Sequence, residues 1–137
     1  MLNKSGTVIR IVIIDDHDIF IAALRAFLEK DPELIVIGEG HNTDEALRAA
    51  SEKPDLILLD LRMPKMDGVE FLKKLETKDK DPDLSIIVFS NYDEQKEIDE
   101  AFKHGATRYI LKAWSSPKEL VKVVNETLNP TARDEED

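Results

Sequence analysis

Residues 56–60 read Leu-Ile-Leu-Leu-Asp, four consecutive large apolar residues that end on an acid. Such a run is continuous rather than alternating, which is typical of a strand buried on both faces, as the strands of parallel sheets are. The preceding Lys53-Pro54-Asp55 predicts a turn that leads into the strand. The stretch therefore predicts a central parallel strand over 55–60, with Asp60 at its carboxyl end.

Four further apolar runs of this kind predict four more strands, at Val8–Ile14, Leu34–Gly38, Ser85–Ser90 and Thr107–Lys112. Between the runs, apolar residues recur at helical spacing, as Phe20, Leu24 and Leu28 do in the first interval. Short strands that alternate with amphipathic helices predict an α/β fold of five βα units, folded by right-handed crossovers into a three-layer, doubly wound sandwich.

Capping signals mark where three of the helices begin or end. Ser116 and Glu119 have the spacing of a capping box, with a proline between them at the first helical position. Asp67 and Glu70 have the same spacing before the third helix. Gly105 is a natural stop for the fourth helix, because glycine tolerates the left-handed conformation found there.

Composition limits the class of protein. The chain has 137 residues, a formal net charge of −10 and no cysteine. One domain is expected over 8–128, between an N-terminal extension (1–7) and an unstructured acidic tail or linker start (129–137). An acidic domain repels phosphate backbones, so direct nucleic-acid binding is not expected, and no disulfide or thiolate metal site can form. Without an apolar run of roughly 18 residues, a cytoplasmic protein with no membrane contact is expected.

Polar side chains stand where the predicted strands end. Asp15 and Asp16 follow the first strand, and Asp60, Ser90 and Lys112 close the third, fourth and fifth. In an open parallel sheet, ligands bind beyond the carboxyl ends of the strands. Each residue alone would be read as a cap or a solvated side chain, but together they predict one site.

The chemistry of this set points to phosphoryl transfer. Three crowded carboxylates repel one another, and a hard divalent cation such as Mg²⁺ relieves that repulsion. A carboxylate can also act as a nucleophile and form an aspartyl phosphate. Lys112 would then offer positive charge to the phosphoryl oxygens, and Ser90 a hydrogen bond.

The same residues, within longer motifs, resemble the receiver domain of two-component response regulators. The motifs run in order from about residue 8 to residue 128, and are Asp15-Asp16-His17, Leu58-Leu59-Asp60-Leu61-Arg62-Met63-Pro64, Phe89-Ser90, Gly105-Ala106 and Tyr109-Ile110-Leu111-Lys112. They look most like the NarL/FixJ-type subgroup. The resemblance implies a flavodoxin-like (CheY-like) fold with a five-stranded parallel sheet of order 2-1-3-4-5.

The resemblance also implies roles for the acids. Asp60 would accept a phosphoryl group from a sensor histidine kinase or a phosphotransfer protein. Asp16 would bind Mg²⁺ directly, with Mn²⁺ able to substitute, and Asp15 would act mainly through water. Asp60 itself and the backbone carbonyl of Arg62 would be further ligands.

A switch is implied as well. Lys112 would pair with the phosphoryl oxygens, Ser90 would move toward them, and Tyr109 would turn inward behind it. The surface of the fourth helix, fifth strand and fifth helix would then change for an output domain or a downstream protein. Homodimerisation through the fourth-helix face is a further expectation that the residues do not decide.

The chain departs from the family pattern in three places. Ala113 follows Lys112 where most receivers have a proline, so a cis bond is not assumed there. Asn91 stands where a small residue is common, and we expect it to slow hydrolysis of the acyl phosphate. The nine residues printed after 128 are too few for the helix-turn-helix output domain that members of this subgroup usually carry, so a single-domain regulator and a receiver from a longer DNA-binding protein both stay open.

Other functions fit the residues less well. A phosphatase of the haloacid-dehalogenase type needs an acid two residues after the nucleophile, where this chain has Arg62. A nucleotide- or flavin-binding module would have a glycine-rich loop after the first strand. A degenerate receiver that is never phosphorylated remains the main alternative. The expectation is a phosphoacceptor that catalyses its own phosphorylation and dephosphorylation, not an enzyme acting on an external substrate.

The histidines and the tryptophan have simpler expected roles. The scattered histidines, His17, His41 and His104, are expected to be surface or capping residues and not metal ligands. Trp114 is expected to pack over the start of the last helix, with a partner contact as the alternative.

Overall fold

A computed structural model of the chain describes residues 8–78, 83–90, 94–112 and 116–128. The strands are β1 (Ile9–Ile14), β2 (Leu34–Gly40), β3 (Leu56–Asp60), β4 (Arg62–Met63), β5 (Met66–Asp67), β6 (Ser85–Ser90) and β7 (Arg108–Leu111). The helices are α1 (Asp18–Leu28), α2 (Thr43–Ala50), α3 (Gly68–Lys78), α4 (Gln95–Lys103) and α5 (Pro117–Leu128). Predictions for 1–7, Asn91, the Lys112–Ala113 bond, Trp114 and 129–137 lie outside the described residues.

Five strands form one parallel sheet in the order β2-β1-β3-β6-β7. This order is the predicted 2-1-3-4-5 once the short β4–β5 pair is set aside, so the predicted fold class is confirmed. The described helices include none that is long and apolar enough to cross a membrane.

The sheet separates two apolar clusters. Val12, Ile57 and Leu59 point into the layer of α2, α3 and α4, whereas Ile11 and Leu58 point into the layer of α1 and α5. Every apolar residue of β3 has no exposed surface. The continuous apolar run of β3 thus serves both faces, and it holds the acid at its end in a fixed position.

The predicted caps form as expected. The Glu119 backbone N–H donates to Ser116 Oγ at 3.2 Å, and the Val69 N–H donates to Asp67 Oδ1 at 2.9 Å. Gly105 adopts a φ of +112° after α4. β2 runs two residues further than predicted, to Gly40, and β7 ends one residue earlier, so Lys112 lies just beyond it.

A small antiparallel pair, β4–β5, was not predicted. It closes the loop that follows Asp60, and the Gly68 N–H donates to the Leu61 carbonyl at 2.8 Å at its base. A Cβ on Gly68 would lie 2.7 Å from both the Leu61 Cα and its carbonyl oxygen. Only glycine permits this approach, so Gly68 keeps the loop folded against the end of β3.

We therefore expect Gly68→Ala to lower the free energy of unfolding by about 1–3 kcal/mol, the usual cost of forcing a methyl group against backbone. Gly38→Ala is the matched control, because its Cβ would meet Ala49 Cβ at an ordinary 3.4 Å. Urea unfolding of both variants measures the difference. Equal losses in the two variants would contradict the close approach at Gly68.

Candidate functional site

Four strand ends meet at one edge of the sheet. The parallel register pairs Asp60 with Phe89 and Ser90 with Leu111, which brings the residues that follow to the same level. Asp15, Asp60 and Ser90 are the buried polar or charged residues in the described part of the chain. The predicted convergence of these side chains is therefore present.

The Lys112 ammonium lies between two of the carboxylates. Its Nζ donates to Asp15 Oδ2 at 2.9 Å and to Asp60 Oδ2 at 3.4 Å, with a side chain only 10% exposed. The Arg62 backbone N–H donates to the other oxygen of Asp60, Oδ1, at 3.3 Å. One cation and one peptide group thus orient the Asp60 carboxylate.

Burial raises the pKa of Asp60 from its ordinary value of 3.8 to about 6. The nearby Lys112 ammonium lowers this pKa but does not outweigh the loss of solvation, and the Asp15 carboxylate raises the pKa further. At neutral pH the Asp60 side chain is thus an ionised carboxylate held at a cost in solvation.

The acids are close enough to share a cation. One ligand atom from each of Asp15, Asp16, His17 and Asp60 lies within 4.8 Å of the others. Asp16 Oδ1 is buried, and no described group donates a hydrogen bond to it; His17 Nδ1, 3.3 Å away, lacks the geometry. Carboxylate oxygens in this arrangement fit a hard divalent cation such as Mg²⁺.

His17 belongs to the surroundings of the site, which sequence reasoning missed. Its side chain is 58% exposed, as expected, but Nδ1 lies 2.9 Å from Asp15 Oδ1 and 3.1 Å from Lys112 Nζ. These two contacts exclude each other, because Nδ1 donates to Asp15 only when protonated and accepts from Lys112 only when not. The one signal in the sequence is its position directly after Asp16. His41 and His104 lie elsewhere, beside Glu45 and Glu76.

Two aromatic rings also face Lys112, a contact that the sequence analysis did not predict. Nζ lies 4.5 Å from the centroid of Phe20 and 5.4 Å from that of Phe89. The rings contact each other at 5.6 Å between centroids, tilted by 45°. The helical spacing identified Phe20 only as a residue on the apolar face of α1.

The Arg62 side chain contacts two glutamates at the start of α4. Its Nε donates to Glu97 Oε2 at 2.9 Å, and a terminal nitrogen donates to Glu94 Oε1 at 3.4 Å. Glu94 is the N-cap residue of α4, and Glu97 lies in its first turn. Arg62 therefore joins the loop after Asp60 to the start of α4.

Tyr109 lies on β7, where it pairs with Val88 of the neighbouring strand. Its side chain is partly buried and packs against the apolar cluster on the α2–α3–α4 side of the sheet. Ser90, two residues after Val88, has no exposed surface. The predicted serine and tyrosine thus lie on adjacent strands near the acidic edge.

Comparison with known proteins identifies the family of the chain. The family model "Response regulator receiver domain" matches residues 11–125. The transcriptional regulatory protein YhcZ of Bacillus subtilis is 43% identical over 114 residues, which cover 82% of this chain and 52% of YhcZ. The chain spans about half the length of the curated relatives it matches.

Solved structures give the same result. The receiver domain of a NarL response regulator from Mycobacterium tuberculosis has a TM-score of 0.77 and 30% identity, covering 90% of this chain and 98% of that one. A response regulator from Burkholderia pseudomallei, solved with a phosphorylated aspartic acid, calcium and citrate, has a TM-score of 0.74 and 28% identity, covering 93% and 72%. The chain therefore belongs to the response regulator receiver domain family of two-component systems, and NarL-type response regulators are among its relatives.

Proposed function

We propose that Asp60 accepts a phosphoryl group from a histidine kinase or phosphotransfer protein. The observation that carries the proposal is a buried Asp60 carboxylate, at the end of a rigid strand, facing the Lys112 ammonium at 3.4 Å. An Asp60 oxygen attacks phosphorus, a new O–P bond forms, and the bond to the donor nitrogen or oxygen breaks. The donor leaves with that electron pair and takes up a proton.

Asp15, Asp16, Asp60 and the backbone carbonyl of Arg62 would hold Mg²⁺, or Mn²⁺ in its place. When bound, the ion supplies positive charge to the phosphoryl oxygens. The buried Asp16 oxygen without a hydrogen-bond donor supports this assignment, because a buried acceptor is costly unless something satisfies it. The B. pseudomallei relative, which holds both a phosphorylated aspartic acid and a calcium ion, supports it further.

Lys112 would exchange partners during the reaction. Before transfer its shorter ion pair is with Asp15, at 2.9 Å. A phosphoryl group on Asp60 carries more negative charge and three acceptor oxygens, so we propose that Lys112 pairs with it afterwards. The attacking carboxylate would thus be oriented, and its product stabilised, by the same ammonium.

We propose that Ser90 and Tyr109 carry the signal outward. Ser90 would donate to a phosphoryl oxygen, and Tyr109 would turn into the space behind it, changing the surface of α4, β7 and α5. A shift in population from 1:99 to 99:1 needs about 5.5 kcal/mol of differential stabilisation. Charge-assisted hydrogen bonds at a sheltered site are of the right size to supply it.

The partners follow from the family. Receiver domains of response regulators work with a histidine kinase and an output domain, and relatives of this chain include transcriptional regulatory proteins. Burial of the Asp60 carboxylate costs solvation free energy, and a module that is never phosphorylated has no reaction at Asp60 that would require this burial. That cost favours the phosphorylated receiver over the degenerate one.

The central prediction concerns Asp60 alone. Incubation with acetyl phosphate and Mg²⁺ should add one phosphoryl group to the wild-type chain and none to Asp60→Asn, as read by intact mass. Asp18→Asn should be modified like wild type, because that acid is exposed at the start of α1 and ion-pairs with His41 instead. Uptake by Asp60→Asn would show that the acceptor lies elsewhere.

The raised pKa of Asp60 has a consequence for stability. The folded chain binds this proton more tightly than the unfolded chain, so the contribution of Asp60 to the stability of the wild type falls as pH rises from about 4 to about 6. Asp60→Asn carries no such charge and should be more stable at pH 7.5 by up to about 3 kcal/mol. Urea unfolding without divalent cations should show this gap closing near pH 4, and a gap that widens on acidification would refute the burial effect.

The switch can be followed at Tyr109. In a fluorotyrosine-labelled Tyr92→Phe chain, beryllofluoride with Mg²⁺ should shift the ¹⁹F signal of Tyr109, because the mimic draws Ser90 toward it. Ser90→Ala should reduce the shift at saturating mimic. Ser85→Ala, at the opposite end of β6, should leave the shift intact. A signal that does not respond in the parent chain rules out the proposed coupling.

A further inference from the structure

The Lys112 ammonium is held by aromatic faces as well as by carboxylates. Phe20 of α1 and Phe89 of β6 place their ring centroids 4.5 Å and 5.4 Å from Nζ. We propose that Phe20 is a positioning residue for phosphoryl transfer, acting through Lys112 by a cation–π contact. This inference rests on the proposed function of Asp60.

An anchor is needed because of where Lys112 lies. β7 ends at Leu111, so the last strand pairing precedes Lys112. A four-carbon stem of rotatable bonds carries the ammonium, and a lysine side chain has about 2 kcal/mol of rotamer entropy to lose when it is fixed. Contacts around the head group must therefore determine where the charge rests.

In the proposed exchange of partners, Lys112 gives up its ion pair with Asp15, so this contact does not hold the ammonium throughout the reaction. Asp15 is the shorter of the two carboxylate contacts, at 2.9 Å, and it competes with the phosphoryl oxygens for the same N–H donors. A ring face attracts the cation through its quadrupole and occupies no acceptor position. Phe20 can thus hold the ammonium both before and after Lys112 leaves Asp15.

The ring also keeps water from one side of the cation. The Lys112 side chain is 10% exposed, and Phe20 packs against the apolar cluster of the α1–α5 layer. A charge with less water around it interacts more strongly with an incoming phosphoryl group, because the effective dielectric constant is lower. Phe89 is fully buried in the core, so Phe20 is the ring that can be changed without emptying the centre of the protein.

The same helix supplies a matched control. Phe27 of α1 is also partly buried and has a lysine, Lys30, 4.4 Å from its ring centroid. That pair lies at the last turn of α1, whereas the acidic site lies beside the first turn. Phe27→Leu therefore makes the same chemical change and breaks the same kind of contact outside the site.

The first measurement needs no phosphorylation. Ring currents should shift the Lys112 ε-methylene protons upfield in the unphosphorylated chain, with the resonance assigned from Lys112→Arg. Phe20→Leu should remove most of this shift, Phe20→Tyr should retain it, and Phe27→Leu should leave it unchanged. Thermal unfolding of each variant checks that the fold is kept.

The second measurement is the rate of phosphorylation by acetyl phosphate with Mg²⁺. Phe20→Leu should slow it by about fivefold to thirtyfold, which corresponds to a cation–π contact of about 1–2 kcal/mol. Phe20→Tyr should restore the rate to within about twofold of wild type, since a phenol ring keeps the face. Phe27→Leu should have the wild-type rate.

The two measurements separate the possible failures. Lys112 protons that resonate at the same position in wild type and Phe20→Leu overturn the contact itself. A lost ring-current shift with an unaltered rate overturns the positioning role. If the wild-type chain takes up no phosphoryl group, the proposed function of Asp60 fails, and the ring-current measurement still decides whether Phe20 holds Lys112.

Discussion

The ion pairs of one ammonium with two buried carboxylates are the interaction on which this edge of the sheet depends. Asp15 and Asp60 have 0% and 4% of their surface exposed, and Lys112 bridges them. Without the ammonium, the two buried carboxylates would repel each other strongly, because little solvent is present to screen their charges. The neutralising group comes from the far end of the chain, so the site exists only when β1, β3 and β7 are all in register.

The packing of β3 determines this register. Its apolar side chains are fully buried on alternate faces of the sheet, so a slip by one residue would exchange the two layers. Asp60 is the last residue of this strand, so the same packing holds its backbone in place. Loop closure at Gly68 then fixes the peptide group that donates to Asp60. Stability and site geometry are therefore supplied by the same apolar residues.

Much of this arrangement could be predicted from the residues, because it is local. Apolar runs indicated the strands, two capping pairs and Gly105 indicated three helix ends, and the strand ends indicated Asp15, Asp60, Ser90 and Lys112. The strand order came from the family resemblance, since periodicity says nothing about which strands pair. The β4–β5 pair is too short to leave a periodic pattern. The contacts of His17 and Phe20 depend on where side chains point across long sequence separations, which no local pattern records.

Arg62 has two attachments whose combination has a mechanical consequence. Its peptide N–H contacts Asp60, while its guanidinium spans two carboxylates one turn apart on α4, at 2.9 Å and 3.4 Å. Because the planar fork of arginine can donate to both acids at once, one side chain joins the loop after Asp60 to two positions at the start of α4. The position of the Asp60 carboxylate and the position of the start of α4 are therefore linked through a single residue.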